Sequence, residues 1–351
     1  MTKLSFSLCA PVLAVAAGVA ALIASPQAGH AACPVIDDGS GNQFVCNAVG
    51  SANGLIRGDG TNNNGTVIAV NEGSTPDAAF SSLLINGDEN DAESLTGSFE
   101  SGVSEAGAVV RGDRNQEVVT NAESWIGDST ARASVTGDNN TDVVTNAQSS
   151  WTGDTQATAS VTGNDNDDVI TNAESSWTGD SEAGTAVTGD TNSVLTNAQS
   201  FSTSDTEASA VVTGTNNAVN TEALGISTGA ATATTSVLGS NNEVSTVATT
   251  PTSMPASAYS LVLGSDNSVS SMSDGGFSVV GAFGSGNNVQ ASSTNGGVAV
   301  ALAVDGGDAN ATADGGNAFA LSIGGTASAT ASASETAVSI ALEDFTWDTT
   351  W

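Results

Sequence analysis

Apolar and polar residues alternate with a period of two along most of this chain. Val143, Thr145, Ala147, Ser149 and Trp151 fall on one parity, and the positions between them are mostly polar. Because successive side chains of a strand point to opposite faces, this pattern predicts a strand with one buried and one exposed face. Turn residues bound such segments, and no helical period is sustained after residue 32.

The alternating segments recur because Gly-x-x-Asn returns every 25 or 26 residues, from Gly112 and Asn115 to Gly264 and Asn267. Gly and Asn favour left-handed backbone in turns, so each repeat holds two strands and two turns. A fixed period of this length is typical of repeat architectures, in which each unit packs only on its neighbours.

Two strands per repeat permit a β-solenoid or an antiparallel β meander. In a solenoid each repeat is one strand–turn–strand coil, and equivalent residues of successive coils lie ~4.8 Å apart. The close copying favours the solenoid, because equivalent positions then stack on their own kind. We therefore predict an all-β fold, a β-solenoid of about ten coils of 25–26 residues, with the meander as the alternative.

Stacked coils would bring identical amides together, and each amide can then bond to the next. One such ladder is expected on the outer face of a strand, at Asn121, Asn146, Asn172 and Asn197. A second, structural ladder is expected at the turns, at Asn115, Asn140, Asn166, Asn192, Asn217, Asn242 and Asn267.

The chain divides into four stretches. Residues 1–32 have the pattern of a secretory signal peptide, with Lys3 before a long apolar run and small residues at the end. Residues 33–106 form an irregular N-terminal region and cap. Residues 107–247 hold the regular β-repeats. Residues 248–351 hold degenerate repeats rich in Gly, Ala and Ser and a C-terminal cap, for which Val338, Ile340 and Leu342 are candidates.

Cleavage near Ala32 would place the protein outside the cytoplasm, secreted or on a bacterial cell surface. Lipidation of Cys33 is the alternative, although His30 stands where that motif expects an aliphatic residue. No transmembrane segment follows the signal. In an exported chain, Cys33 and Cys46 are expected to form one local disulfide.

Loss of the signal would leave no lysine, no histidine and four arginines against 38 acidic residues. Such a charge repels nucleic acid and anionic membranes, so neither is an expected partner. Serine and threonine are abundant, but no histidine or lysine is left to activate them as nucleophiles. The protein is therefore not expected to be an enzyme.

Three tryptophans, Trp125, Trp151 and Trp177, recur 26 residues apart. An aromatic stack that closes the rim of the core is the first interpretation. The second is an aromatic strip that binds sugars.

Calcium is the one cofactor that the sequence suggests. Side-chain oxygens, the ligands of hard cations, are concentrated in two turns that contain Asp138, Asp142, Asp165, Asp167 and Asp168. The alternative is that Asp and Asn are there because they make turns.

The strand–turn–strand unit, with Gly-x-x-Asn at the turn and Asn-Ala in the next strand, resembles the repeats of curlin-type secreted fibre subunits. The segments 237–244 and 261–269 resemble the head repeats of trimeric autotransporter adhesins. The resemblance covers residues 84–290. The curlin unit is slightly shorter and richer in glutamine, and no adhesin stalk or anchor is found. The resemblance implies a cell-surface or extracellular-matrix role.

The expected function is therefore that of a secreted, acidic, non-enzymatic structural or adhesive protein. Its partners would be further copies, in a fibre or surface layer, or cell-surface glycans. A calcium- or carbohydrate-binding module is the alternative. Two minor alternatives are ice binding, from outward threonines such as Thr158 and Thr232, and an outer-membrane protein ending in Trp351.

Overall fold

In the computed structural model, the described residues form strands and turns. No helix occurs among them, and hence none that is long and apolar enough to cross a membrane. The described ranges are 32–37, 41, 43–49, 53–71, 78–98, 102–165, 167–189, 193–201, 204–214, 218–226, 229–239, 241, 243–250, 254–264, 266, 268–284, 286–304, 307–332, 336–341 and 346–350. The predicted signal peptide therefore lies outside the described residues, except for Ala32.

The strands are short and mostly six to nine residues long. In chain order they are β1 (Ala32–Asp37), β2 (Gln43–Val49), β3 (Asn53–Asp59), β4 (Asn64–Asn71), β5 (Ala79–Asn86), β6 (Asp91–Ser98), β7 (Ser104–Arg111), β8 (Val118–Ile126), β9 (Ser129–Thr136), β10 (Thr141–Thr152), β11 (Thr155–Thr162), β12 (Asp167–Ser175), β13 (Ser181–Thr188), β14 (Ser193–Ser200), β15 (Thr206–Thr213), β16 (Ala218–Gly225), β17 (Ala231–Leu238), β18 (Glu243–Thr249), β19 (Ala256–Val262), β20 (Ser268–Asp274), β21 (Ser278–Phe283), β22 (Asn288–Thr294), β23 (Ala299–Val304), β24 (Asp308–Asp314), β25 (Ala318–Ile323), β26 (Ala327–Ser332), β27 (Ala337–Ala341) and β28 (Thr346–Thr350).

Consecutive strands alternate between two sheets. The odd-numbered strands and β28 form sheet A, and the even-numbered strands form sheet B. From β1 to β27, each strand pairs in parallel with the strand two places later, so one strand of each sheet makes one coil. Only β28 departs from this order, since it pairs antiparallel to β27. This topology confirms the β-solenoid and rules out the antiparallel meander.

The strand register keeps equivalent residues in line from coil to coil. Val143 pairs with Val118 in the coil before and with Val169 in the coil after. The coils become shorter towards the C-terminus, where Ala299, Ala318 and Ala337 pair at steps of 19 residues. Both the irregular N-terminal region and the degenerate C-terminal region therefore continue the same two sheets.

Small side chains fill the space between the sheets. The buried positions of the central strands are almost all Val, Ala, Thr or Ser, as the alternation predicts. Valines such as Val118 and Val143 form one continuous column, and alanines form another. Hydroxyl groups buried between the columns bond to each other, as Thr185 does with Thr171 at 2.8 Å and with Thr196 at 2.7 Å. The core is thin, and the outward side chains of both sheets form long flat surfaces.

Candidate functional site

One corner of the solenoid is built on the asparagine of the Gly-x-x-Asn turn. Asn115 and Asn140 are fully buried, and the side-chain oxygen of Asn140 accepts the backbone N–H of Asn115 at 3.1 Å. Asn90 and Asn63 continue this arrangement towards the N-terminus. Asn63 also ends a Gly-x-x-Asn segment, although its spacing lies outside the regular repeat. Five members of the predicted turn ladder, Asn166, Asn192, Asn217, Asn242 and Asn267, lie outside the described residues.

The outward amide ladder follows the strand register of sheet B. Asn146 pairs with Asn121 and with Asn172, and Asn172 pairs with Asn197. The side-chain N–H of Asn172 donates to the side-chain oxygen of Asn146 at 2.9 Å. These amides are half-buried, and they bond to each other along the outer surface.

Aspartates at two corners bond to the coil that follows them. At the first corner, Asp113 accepts the backbone N–H of Asp138 at 2.7 Å. At the second corner, Asp154 accepts the backbone N–H of Asp180 at 3.0 Å, and Asp180 accepts that of Asp205 at 3.0 Å. Each carboxylate thus has one oxygen in the backbone network. The repeated aspartates are therefore part of the coil-to-coil hydrogen bonding.

The candidate calcium ligands are all at the surface of two neighbouring turns. Asp138 belongs to the first aspartate column, where it accepts the backbone N–H of Asn164 at 2.6 Å. Asp142, Asp165 and Asp168 adopt left-handed backbone with φ of 54°, 54° and 51°, and Asp167 is exposed. Within the described ranges, no three His, Cys, Asp or Glu side chains are grouped as they would be around a metal ion.

The tryptophans lie on the outside of the corner that follows the sheet B strand. Trp125, Trp151 and Trp177 are 51%, 48% and 58% exposed. The rings of Trp151 and Trp177 stack with centroids 5.4 Å apart and an interplanar angle of 7°. The prediction that Trp151 shares the inward face with Val143 is wrong. The register between β8 and β10 shifts after Ser149, and this irregularity turns the end of β10 outward.

A hydrogen-bonded charged network crosses the outer face of sheet A. Arg132 donates to Glu105 at 2.9 Å and to Gln156 at 3.2 Å, and Gln156 donates to Glu182 at 2.9 Å. On sheet B, the paired column runs Glu123, Gln148, Glu174, Gln199, so that neutral amides separate the carboxylates. Partial burial raises the pKa of both Glu123 and Glu174.

The predicted disulfide falls at the N-terminal end of the stack. Cys46 is buried, and its sulfur is 3.4 Å from the position that a Cβ on Gly54 would take. Cys33 pairs with Gly54 in the strand register. The backbone therefore brings the two cysteines into neighbouring positions. The side chain of Cys33 lies outside the described residues, and the disulfide stays a prediction.

The sequence analysis missed an apolar surface on sheet A, which we call the C-terminal apolar face. The signal was present in segments such as 299–304, where small alanines alternate with large aliphatic residues. The large residues are the outward ones, and alanine fills the core. Val338 and Ile340, expected in the cap, belong to this face. Its outward residues are Tyr259, Leu261, Val279, Phe283, Val300, Leu302, Val304, Phe319, Leu321, Ile323, Val338 and Ile340.

Comparison with known proteins adds no assignment. No protein-family model, curated protein or solved structure matches this chain.

Proposed function

We propose that this chain is a secreted, acidic, non-enzymatic structural or adhesive protein of a bacterial cell surface or extracellular matrix. The observation that carries the proposal is the repetition of the outer surface in register. Asn121, Asn146, Asn172 and Asn197 present the same group on four successive coils. A surface that repeats every ~4.8 Å can contact a partner at many equivalent points.

The charge and the backbone bonding fit this role. The chain has a net charge of −33, which keeps a long rod dispersed. Each coil is bonded to the next through both sheets and through the corner side chains of Asn115 and Asp154. Such a rod can transmit force along its axis, because every coil interface is crossed by many hydrogen bonds.

Fractionation tests the location. The full chain is expressed in a Gram-negative bacterium beside a control that lacks residues 1–32. We expect the full chain on the cell surface or in the medium, and the control inside the cell. Electron microscopy of the purified product should show rods. Retention of the full chain in the cytoplasm would overturn the proposal.

A calcium- or carbohydrate-binding module is the second candidate, because the stacked Trp151 and Trp177 are about half exposed. Each ring covers one side of the other, so a sugar would reach only the outer sides and edges. Calorimetric titration with glycans would detect such binding, and Trp151→Ala should abolish it.

Calcium is tested by the same method with Asp138→Asn. This change removes the charge but keeps an oxygen for the backbone N–H of Asn164. No heat with either ligand would eliminate the second candidate.

A further inference from the structure

The C-terminal apolar face is formed by three outward columns of sheet A. Tyr259, Val279, Val300, Phe319 and Val338 pair in sequence to make the first column. The other columns contain the pairs Leu302–Leu321–Ile340 and Phe283–Val304–Ile323. No charged side chain points outward from β19, β21, β23, β25 or β27 among the described residues.

The opposite face of the same coils is polar. The outward residues of β22, β24 and β26 are amides, hydroxyls and carboxylates throughout. The C-terminal coils are therefore amphipathic, with one apolar and one polar outer surface. A general drift towards apolar composition would have changed both surfaces. The outward positions of β22, β24 and β26 are Asn288, Gln290, Ser292, Thr294, Asp308, Asn310, Thr312, Asp314, Ser328, Thr330 and Ser332.

The size of the face is sufficient for association. Five strands at ~4.8 Å and three outward positions per strand at ~6.6 Å give a footprint of about 24 Å by 20 Å. That is about 500 Å² on each copy, so two copies would cover about 1,000 Å², the lower bound for a specific interface. A contiguous apolar patch of this size marks an interaction site on a soluble protein.

We propose that the C-terminal apolar face binds the same face of a second copy, in an antiparallel arrangement with two-fold symmetry. The charge distribution selects both the partner and the orientation. Sheet A carries outward carboxylates nearer the N-terminus, among them Glu182 and Glu207, which are paired neighbours. A parallel arrangement would superpose these carboxylates on their own copies, whereas the antiparallel arrangement separates them and keeps only uncharged strands in contact.

This inference extends the proposed structural role, but it depends only on the apolar face. Leu302 lies in the middle column of β23, the central strand of the face. A two-fold axis through that point brings Leu302 against its own counterpart. Face-to-face sheets of this kind pack ~10 Å apart.

The experiment measures the mass of the chain from residue 33 onward by sedimentation velocity over a range of concentrations. We expect a dimer that persists at high salt, because salt screens the repulsion between the acidic rods and leaves apolar contact intact. Leu302→Glu should raise the dissociation constant at least 100-fold, because it buries an unpaired charge. The control is Thr312→Glu, on the polar face of a neighbouring coil, and it should remain dimeric.

Cross-linking tests the orientation and does not depend on the folding of the charged variant. Leu302→Cys should form a disulfide with its own copy under mild oxidation, and Thr312→Cys should not. A monomer at all concentrations, a dimer that survives Leu302→Glu in a folded protein, or absence of the cross-link would overturn the proposal. So would flotation of the protein with phosphatidylcholine vesicles, since the face would then bind lipid. Secretion is measured separately, and its failure leaves the dimer test unaffected.

Discussion

The side-chain oxygen of Asn140 accepts two hydrogen bonds from Asn115, one from the backbone N–H at 3.1 Å and one from the side-chain amide at 2.9 Å. The same side-chain amide of Asn115 also donates to the carbonyl of Gly112 at 2.6 Å. Both asparagines are fully buried. One side chain thus joins two coils and closes its own turn, where no strand pairing is available.

Asn140→Ala should therefore destabilise the fold. The change leaves the buried N–H of Asn115 without an acceptor, and an unsatisfied buried group costs about 1–3 kcal/mol. Urea unfolding followed by circular dichroism should show a lower midpoint. The control is Asn146→Ala, which removes a half-buried outward amide that accepts one bond from Asn172. It should cost less than about 1 kcal/mol. Equal losses in the two variants would contradict the role assigned to the turn asparagine.

Gly137→Ala should be more damaging than an ordinary glycine replacement. Gly137 has φ of +143°, and a Cβ there would lie 2.0 Å from the carbonyl oxygen of Gly112 in the preceding coil. The two coils would have to separate locally, which we expect to cost more than about 3 kcal/mol. Gly97→Ala is the matched control, because a Cβ at Gly97 has no heavy atom within 4 Å. Similar urea midpoints for the two variants would show that the turns tolerate a wider spacing.

The sequence predicted the solenoid because its repeat is an explicit copy of local structure. Residues that stack on each other, such as Val118, Val143 and Val169, stand at constant spacing, and the alternation assigns them to the inside. The position of Asn115 at a turn followed from the preference of Asn for left-handed backbone. Period and alternation therefore contained the fold class and the contents of the core.

The outer surface was harder to predict. Trp151 follows the inward parity in sequence, but a register irregularity at the end of β10 reverses it. The C-terminal apolar face was missed because large aliphatic residues, such as Leu302 and Leu321, are normally assigned to the core. Here the coil is too thin for them, so alanine takes the inside and they lie outside. Only the distance between the two sheets decides this, and alternation alone does not contain that distance.

The cysteines give a prediction on covalent structure. Because Cys33 pairs with Gly54, and Gly54 faces the sulfur of Cys46, we expect the exported protein to contain one Cys33–Cys46 disulfide. Thiol labelling under denaturing conditions, followed by mass analysis of peptides, should show neither cysteine labelled until a reductant is added. Cys46→Ser should then leave Cys33 open to labelling. Lipid on Cys33, or two labelled cysteines in the exported protein, would contradict the disulfide.

The stability of the fold should rise as the pH falls from 7 towards 4.5, and Glu174 should contribute to the change. Partial burial raises the pKa of this carboxyl above its ordinary value of 4.5, so the folded state binds its proton more readily than the unfolded state. Its contribution to stability is complete below the ordinary value and is lost as the pH rises through the raised value. Glu174→Gln should therefore raise the urea midpoint at pH 7 and have little effect near pH 4.5.

Asp308→Asn provides a control of opposite sign. Hydrogen bonds from the side chain of Thr326 at 2.7 Å and from its backbone at 2.9 Å lower the pKa of Asp308. Its contribution is present above the ordinary value and is lost as the pH falls through the lowered one. Asp308→Asn should therefore lower the midpoint at pH 7, and the difference should shrink in acid. If both variants shifted the midpoint in the same direction at pH 7, removal of charge from a highly acidic chain would explain the result, and the environment of Glu174 would not.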